Sequence, residues 1–306
     1  MTVSNDRTLT AHFRLAPTPS GLLHTGNAAS FVLTWILARQ VGGNILLRID
    51  DLDRERFRME YLEDIFRTID WLGIDYDRGP SGPDDFLDSW SQHHRIQSYM
   101  KLLFLLQESA RIYECSCSRS IIANGDGCRC YSSGPASSEQ ISWRFHTSEL
   151  GTIGFNDLFK GRIECDLKSA SGDFVVRKKD GLPSYQVASL CDDIDFGITH
   201  VVRGEDLIPS TAAQLALDAE LNSNKFQDST ILHHPLLVDP EGSKLSKSAG
   251  ALALLKKGRN RGQQTEIIQL VAQWLGVDES IGSLDELLDA SREICRTLLQ
   301  VQPNVK

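Results

Sequence analysis

Apolar positions along this chain switch between the period of a helix and the continuous runs of a buried strand. Ala28, Phe31, Val32, Trp35 and Ile36 recur at helical spacing, and Met59, Leu62, Ile65, Ile69 and Leu72 repeat it further on. Between them, Asn44 to Asp50 is nearly all apolar, as expected of a strand covered on both faces of a parallel sheet. Ile96, Tyr99, Leu103 and Leu106 mark a third helix. The stretch Gly73 to Asp88, rich in Gly, Pro and Asp, reads as a surface connection. Alternation of strand and helix predicts a doubly wound α/β fold on a parallel sheet.

The pattern changes between Cys115 and about Tyr185. Ile163, Cys165 and Leu167 alternate with Glu164, Asp166 and Lys168, the period of a half-exposed strand. Phe174 to Arg177 and the turn Lys179-Asp180-Gly181 predict an antiparallel hairpin. This region reads as a smaller α+β module inserted into the larger fold. The α/β pattern then resumes with a strand at Ile198 to Arg203, a helix at Thr211 to Leu221 and a strand at Ile231 to Val238. Ile267, Leu270, Val271 and Trp274 mark one late helix, and Leu284, Leu287, Leu288 and Ile294 a second. The expected division is 1–113 and 187–250 for the two halves of the nucleotide-binding fold, 114–186 for the insert and 251–306 for a helical end.

Bulk composition narrows the class without naming it. The chain has 306 residues, 41% hydrophobic and 24% charged, enough for a large core and more than one domain. Its first residues lack an apolar segment and no run approaches the length of a membrane span, so a soluble cytoplasmic protein with no membrane partner is expected. A net charge of −9 argues against a general nucleic-acid coat, though not against one local basic face. Nothing points to an obligate protein partner.

Four stretches offer chemistry. In Arg14 to Asn27, two prolines and a glycine fix a turn, and Gly26 follows His24 closely at the start of a helix. A helix start presents N–H groups and the positive end of a dipole, which suit a nucleotide phosphate, although an ordinary strand-to-helix connection looks much the same. Asp50, Asp51 and Asp53 end a predicted parallel strand, where ligands sit in open α/β sheets, or else form a solvated turn. Lys244 and Lys247 lie in a loop too polar for a core and are spaced to face one anion, or else simply water. Cys115, Cys117, Cys128 and Cys130 fall within sixteen residues of one another, a suitable set for a closed tetrahedral zinc site. Cys165, Cys191 and Cys295 are isolated and read as core residues, and the pairs His93-His94 and His233-His234 lack ligand partners at useful spacing.

Two of these stretches, taken in order, resemble the paired signatures of class I aminoacyl-tRNA synthetases: a His-x-Gly-[His/Asn] turn and a Lys-[Met/Leu]-Ser-Lys-Ser loop. The segments Arg14 to Asn27, Leu47 to Arg54 and Val202 to Leu207 narrow the resemblance to the glutamyl-tRNA synthetase catalytic core, over roughly residues 12 to 250. That resemblance implies an ATP site of Pro17, His24, Gly26, Asn27, Lys244, Ser246 and Lys247, with His24, Lys244 and Lys247 catalytic and Mg2+ accompanying ATP. It implies a glutamate pocket of Arg14, Ala16, Thr18, Asp50, Tyr185 and Arg203. Thr18 stands where the family usually has Ser, which keeps the hydroxyl. Asp50 stands where it usually has Glu to receive the substrate ammonium, and its shorter arm falls about one methylene short.

The chain continues only 58 residues past Ser248, less than the family's anticodon-binding region needs. With the cysteine cluster, this resembles the family's glutamyl-Q branch, whose members activate L-glutamate with ATP and attach it to queuosine at the wobble position of tRNA(Asp). The family often follows its first Cys-x-Cys with a Tyr and then a Cys four residues on. Here a second Cys-x-Cys stands in that place, with Tyr131 beside it as an alternative ligand for one structural Zn2+. Two other readings stay open: a truncated glutamyl-tRNA synthetase charging a tRNA 3′ end, and a catalytically silent, zinc-clamped RNA-binding module.

Overall fold

The computed structural model describes residues 10–118, 122, 128–137, 139–237, 258–278 and 280–300. In chain order its strands are β1 (His12–Leu15), β2 (Asn44–Leu47), β3 (Ile112–Cys115), β4 (Ser142–Phe145), β5 (Thr152–Asp157), β6 (Gly161–Asp166), β7 (Phe174–Arg177), β8 (His200–Gly204) and β9 (Thr230–His234). Its longer α-helices are α1 (Thr25–Gln40), α2 (Met59–Leu72), α3 (Ile96–Gln107), α4 (Leu167–Ser171), α5 (Tyr185–Asp195), α6 (Ile208–Glu220), α7 (Arg261–Leu275), α8 (Leu284–Ala290) and α9 (Arg292–Gln300). These residues gather into two compact units, 10–91 with 198–204 and 230–300, and 92–197 with 205–229. In this division α5 and α6 group with 92–197.

In the first unit, β1 pairs with β2 in parallel, His12 opposite Asn44 through Leu15 opposite Leu47. The pairing continues past both strands, because Arg48 N–H donates to Leu15 O (2.9 Å) and Asp50 N–H to Pro17 O (2.8 Å). On the other side of β1, Thr199 N–H donates to His12 O (3.0 Å) and the Arg14 side chain reaches Val202 O (3.1 Å). The partner numbers rise together, so β8 also runs parallel to β1. β9 pairs with β8 in parallel, and β8 packs beside β1, so the two parallel pairs β1-β2 and β8-β9 lie side by side. Parallel strands bring their carboxyl ends to one edge, and that edge carries Arg14, Asp50 and Arg203.

Helix α1 departs from the one-faced pattern its sequence suggested. Leu33, Leu37 and Ala38 are as buried as Phe31, Val32 and Ile36, so the helix is covered nearly all round. The sheet covers one side, and α7, α8 and α9 pack against α1 as well. The expected last helix is divided in two at Ser291. The Ser291 hydroxyl donates to Leu288 O (3.4 Å) and accepts from the Gln40 amide (3.3 Å), which competes with the helical ladder. Gly73 to Asp88 is likewise more than a surface connection. Asp77 and Arg78 donate to Ile45 O, Leu47 N–H donates to Arg78 O, and Phe86 is fully buried. A Cβ at Gly79, where φ is +135°, would lie 2.6 Å from Leu47 O, so only glycine permits that close pass.

The second unit contains the three-stranded antiparallel sheet β3-β4-β7 and the β5–β6 hairpin. β6 stops at Asp166 instead of running to Leu167, because the Asp166 carboxylate caps α4 through Lys168 N–H (3.0 Å). After β7 the chain turns as expected at Lys178 to Leu182, but it returns through a single bridge, Arg177 to Pro183, and enters α5 without forming a second strand. Among the described residues, no helix is long and apolar enough to cross a membrane.

At the edge of the parallel sheet remote from the strand ends, His200 stacks on Phe13 (4.4 Å) and pairs with Thr199 Oγ1 (2.8 Å). Burial, with nearby His12, holds its pKa down at about 4. The unfolded chain then takes up a proton before the folded one does. Stability is expected to fall by up to about 3 kcal/mol as pH drops from about 6.5 toward about 4. Urea unfolding of His200→Gln across that range should show a flatter profile; an equally steep one would remove His200 as the cause.

Candidate functional site

The site edge is built from β1 and the turn that follows it. Pro17 is buried and accepts the Asp50 N–H bond, Ala16 is half-buried and Thr18 is exposed. The chain reaches α1 through buried Leu23, whose N–H donates to Asp64 of α2 (2.8 Å). His24 is the N-cap in an extended conformation. Its Nδ1 accepts Gly26 N–H (3.1 Å), and Asn27 Oδ1 accepts His24 N–H (3.1 Å). The His-x-Gly-Asn stretch is thus a capping box with an imidazole in place of the usual hydroxyl.

This geometry gives Gly26 a local role. A Cβ there would lie 3.1 Å from His24 Cε1 and 3.2 Å from Nδ1, so the glycine makes room for the folded-back ring. The N–H groups of Gly26, Asn27 and Ala28 are all bonded to His24, the last two through its carbonyl. An anion at this end of α1 meets the helix dipole and the ring before it meets open N–H donors.

Beside the turn lie three buried arginines. Arg14 is 4% exposed and donates from Nη1 to the carbonyl of Val202, the residue before Arg203, itself 4% exposed. Arg48 grips Asp50 through both carboxylate oxygens, Nε to Oδ1 at 2.7 Å and Nη2 to Oδ2 at 3.0 Å, with both residues buried. Next to it, Asp51 accepts the Ser91 hydroxyl (2.7 Å) and pairs with Arg54 (3.2 Å). Asp50 would therefore meet a substrate ammonium as half of an ion pair. The structure brings Arg14, Ala16, Pro17, Thr18, His24, Gly26, Asn27, Asp50 and Arg203 into one unit. Tyr185 opens α5 in the other unit and is exposed. Lys244, Ser246 and Lys247 lie outside the described residues.

Sequence reasoning missed Arg48 and Asp64. Arg48 had a signal: a charge in the middle of the covered run Asn44 to Asp50 needs a buried counter-ion. Asp64 shares a helical face with Thr68 and Leu72, which places an acid on the inner side of α2.

In the second unit, the sulfur atoms of Cys115, Cys117, Cys128 and Cys130 all lie within 4.8 Å of one another. Cys115 to Cys128 is 3.5 Å and Cys117 to Cys130 is 3.6 Å. A tetrahedron of thiolates about 2.3 Å from zinc has edges of roughly 3.8 Å, so the four fit a closed site. Cys115 ends β3, and Cys130 opens a four-residue helical turn. Burial followed by the neighbouring thiols pushes Cys117 up to about 12, while burial of Cys130 is outweighed by donors that include Ser116 N–H, which lower it. Tyr131 stacks on His146 (3.6 Å), and the phenol that reaches the cluster is that of Tyr113, 3.8 Å from the Cys128 sulfur. Tyr113 donates in turn to Asp173 (2.8 Å), an outer support for the cluster.

Residues 10–127 and 128–292 match the family described as tRNA synthetases class I (E and Q), catalytic domain. A glutamyl-Q tRNA(Asp) synthetase of Nitratidesulfovibrio vulgaris is 37% identical over 261 residues, covering 79% of each chain. A glutamate–tRNA ligase of a Synechococcus species is 34% identical over 268 residues, where the match covers 80% of this chain and 53% of the ligase. The crystal structure of glutamate-tRNA synthetase from Elizabethkingia anophelis superposes with a TM-score of 0.73 at 22% identity, covering 94% of this chain and 70% of that one, which shows a common fold.

Purified protein is expected to carry about one zinc per chain, and a strong chelator should lower its thermal midpoint together with release of the metal. Elemental analysis well below one equivalent would remove the zinc assignment.

Proposed function

Since the chain belongs to the catalytic-domain family of the class I tRNA synthetases for glutamate and glutamine, we propose that it activates L-glutamate with ATP and passes it to queuosine at the wobble position of tRNA(Asp). The observation that carries the reading is the placement of buried Arg14 and Arg203 on adjacent parallel strands, beside the start of α1. Two buried guanidinium groups suit a doubly acidic amino acid, each as a fork for a carboxylate. Asp50, fixed by Arg48, faces the ammonium group, with Thr18 and Ala16 beside it; the family resemblance assigns Tyr185 to the same substrate.

Pro17, His24, Gly26 and Asn27 receive ATP at the helix start. The glutamate α-carboxylate attacks the α-phosphorus in line, the bond to the bridging oxygen of the β-phosphate breaks, and pyrophosphate leaves; Mg2+ bound with ATP would offset charge on its phosphates. Lys244 and Lys247 offset the charge that develops on the leaving phosphates, and Ser246 lies between them. Such a step needs positioning and charge stabilisation more than a general base. An acceptor hydroxyl then displaces AMP from the adenylate carbonyl. A zinc ion on Cys115, Cys117, Cys128 and Cys130 would be structural, since four thiolates leave no open position. The choice of acceptor draws on the glutamyl-Q relative, at 37% identity against 34% for the ligase.

The test supplies labelled glutamate and ATP with queuosine-containing tRNA(Asp), the same tRNA without queuosine, and tRNA(Glu). Label is expected on the first alone. Label on tRNA(Glu) would make the chain a 3′-end charging enzyme, and failure to form adenylate under any of these conditions would leave only RNA binding. Lys247→Ala should lose about 100- to 1,000-fold in pyrophosphate exchange while its circular dichroism stays unchanged.

A further inference from the structure

Asp64 has no exposed surface, yet it is the meeting point of three segments of the first unit. Its Oδ2 accepts Leu23 N–H (2.8 Å), one residue before the His24 cap. Its Oδ1 pairs with Arg259, the second described residue after the stretch 238–257 that carries Lys244 and Lys247. The same guanidinium nitrogen reaches Thr68 Oγ1 (3.0 Å), whose hydroxyl donates to Asp64 O (2.7 Å). Arg259 is largely buried and sits at φ +34°, a left-handed conformation unfavourable for a residue with a side chain. It leads into Asn260, which caps α7 through Gln263 N–H (3.0 Å), and α7 packs on α1.

We propose that the Asp64–Arg259 pair is a positioning element for the ATP-dependent step. It fixes Leu23, and through Leu23 the His24 imidazole and the start of α1, to the chain that follows the lysine loop in sequence. This inference rests on the proposed activation of glutamate by ATP. A carboxylate with no water contact requires a cation, and Arg259 supplies it. Without Arg259, the Asp64 carboxylate turns toward another donor, and its hold on Leu23 N–H weakens. Neither residue belongs to the expected glutamate pocket of Arg14 and Arg203, so the effect falls on one substrate of the two.

The experiment measures KM for ATP and for glutamate separately in pyrophosphate exchange, with thermal midpoints alongside. Arg259→Met keeps the stem and removes the charge, Arg259→Lys restores the charge, and Asp64→Asn keeps an acceptor for Leu23 N–H. Arg259→Met is expected to raise the ATP KM or lower kcat by about 10- to 100-fold while the glutamate KM stays within about twofold. Arg259→Lys should recover most of that loss. The double variant Asp64→Asn with Arg259→Met should do no worse than Arg259→Met alone, because both substitutions break one pair. An unchanged ATP KM and kcat, or equal rises in both KM values, would overturn the proposal. If Arg259→Met fails to fold, Asp64→Asn carries the same comparison and is expected to show the same ATP-selective loss, with Arg259→Lys as its near-normal control. Lys247→Ala separates the two readings. Its loss of exchange beside a normal Arg259→Met overturns the positioning role alone, whereas near-normal exchange in Lys247→Ala overturns the activation chemistry itself.

Discussion

The parallel pairing of β1 with β2, and the seating of β8 beside β1, is the constraint on which the rest of this molecule's chemistry depends. Pairing of His12 to Leu15 with Asn44 to Leu47 fixes where Asp50 leaves the sheet, and the Arg14 bond to Val202 fixes where Arg203 does. None of these three residues is close to another across the two segment boundaries in sequence; register alone assembles them. A slip by one residue would turn every side chain of a strand to the opposite face. Apolar residues on both faces of the sheet make such a slip costly, so the ordinary core residues Phe13, Leu15, Ile45 and Leu47 hold the charged ones in place.

Charge at this edge is handled by pairs more than by exposure. Arg48 with Asp50, Arg54 with Asp51 and Arg259 with Asp64 each place a cation against a buried acid. Breaking one member of a buried pair typically costs about 3–5 kcal/mol, because the survivor is left without a counter-ion. The net charge of −9 says nothing about this edge, where arginines gather.

Periodicity read well where one cause sets burial. Of the stripe Met59 to Leu72, Leu62, Ile65, Ile69 and Leu72 are buried in α2 as expected while Met59 is exposed at the helix start, and the run Asn44 to Leu47 is a covered parallel strand. It read poorly where a distant partner intervenes. Nothing local in Phe31 to Ala38 announces that three late helices cover the outer side of α1. Asp166 ends β6 early by capping the next helix, a use of the acid that alternation treats as mere exposure. The turn Arg14 to Asn27 was legible as a motif, but the ring of His24 folding onto Gly26 was not, since spacing carries no side-chain direction. The four cysteines were the most legible feature of all: their chain spacing already implied a cluster, and the sulfurs do converge.

The imidazole of His24 carries one more consequence. A nitrogen that accepts a hydrogen bond bears no proton, so Nδ1, occupied by Gly26 N–H, assigns the proton of the neutral ring to Nε2. The tautomer of this histidine is thus chosen by the backbone of the helix it caps. The ring's far nitrogen is a donor by construction, a polarity that suits an anionic oxygen and disfavours an ammonium group.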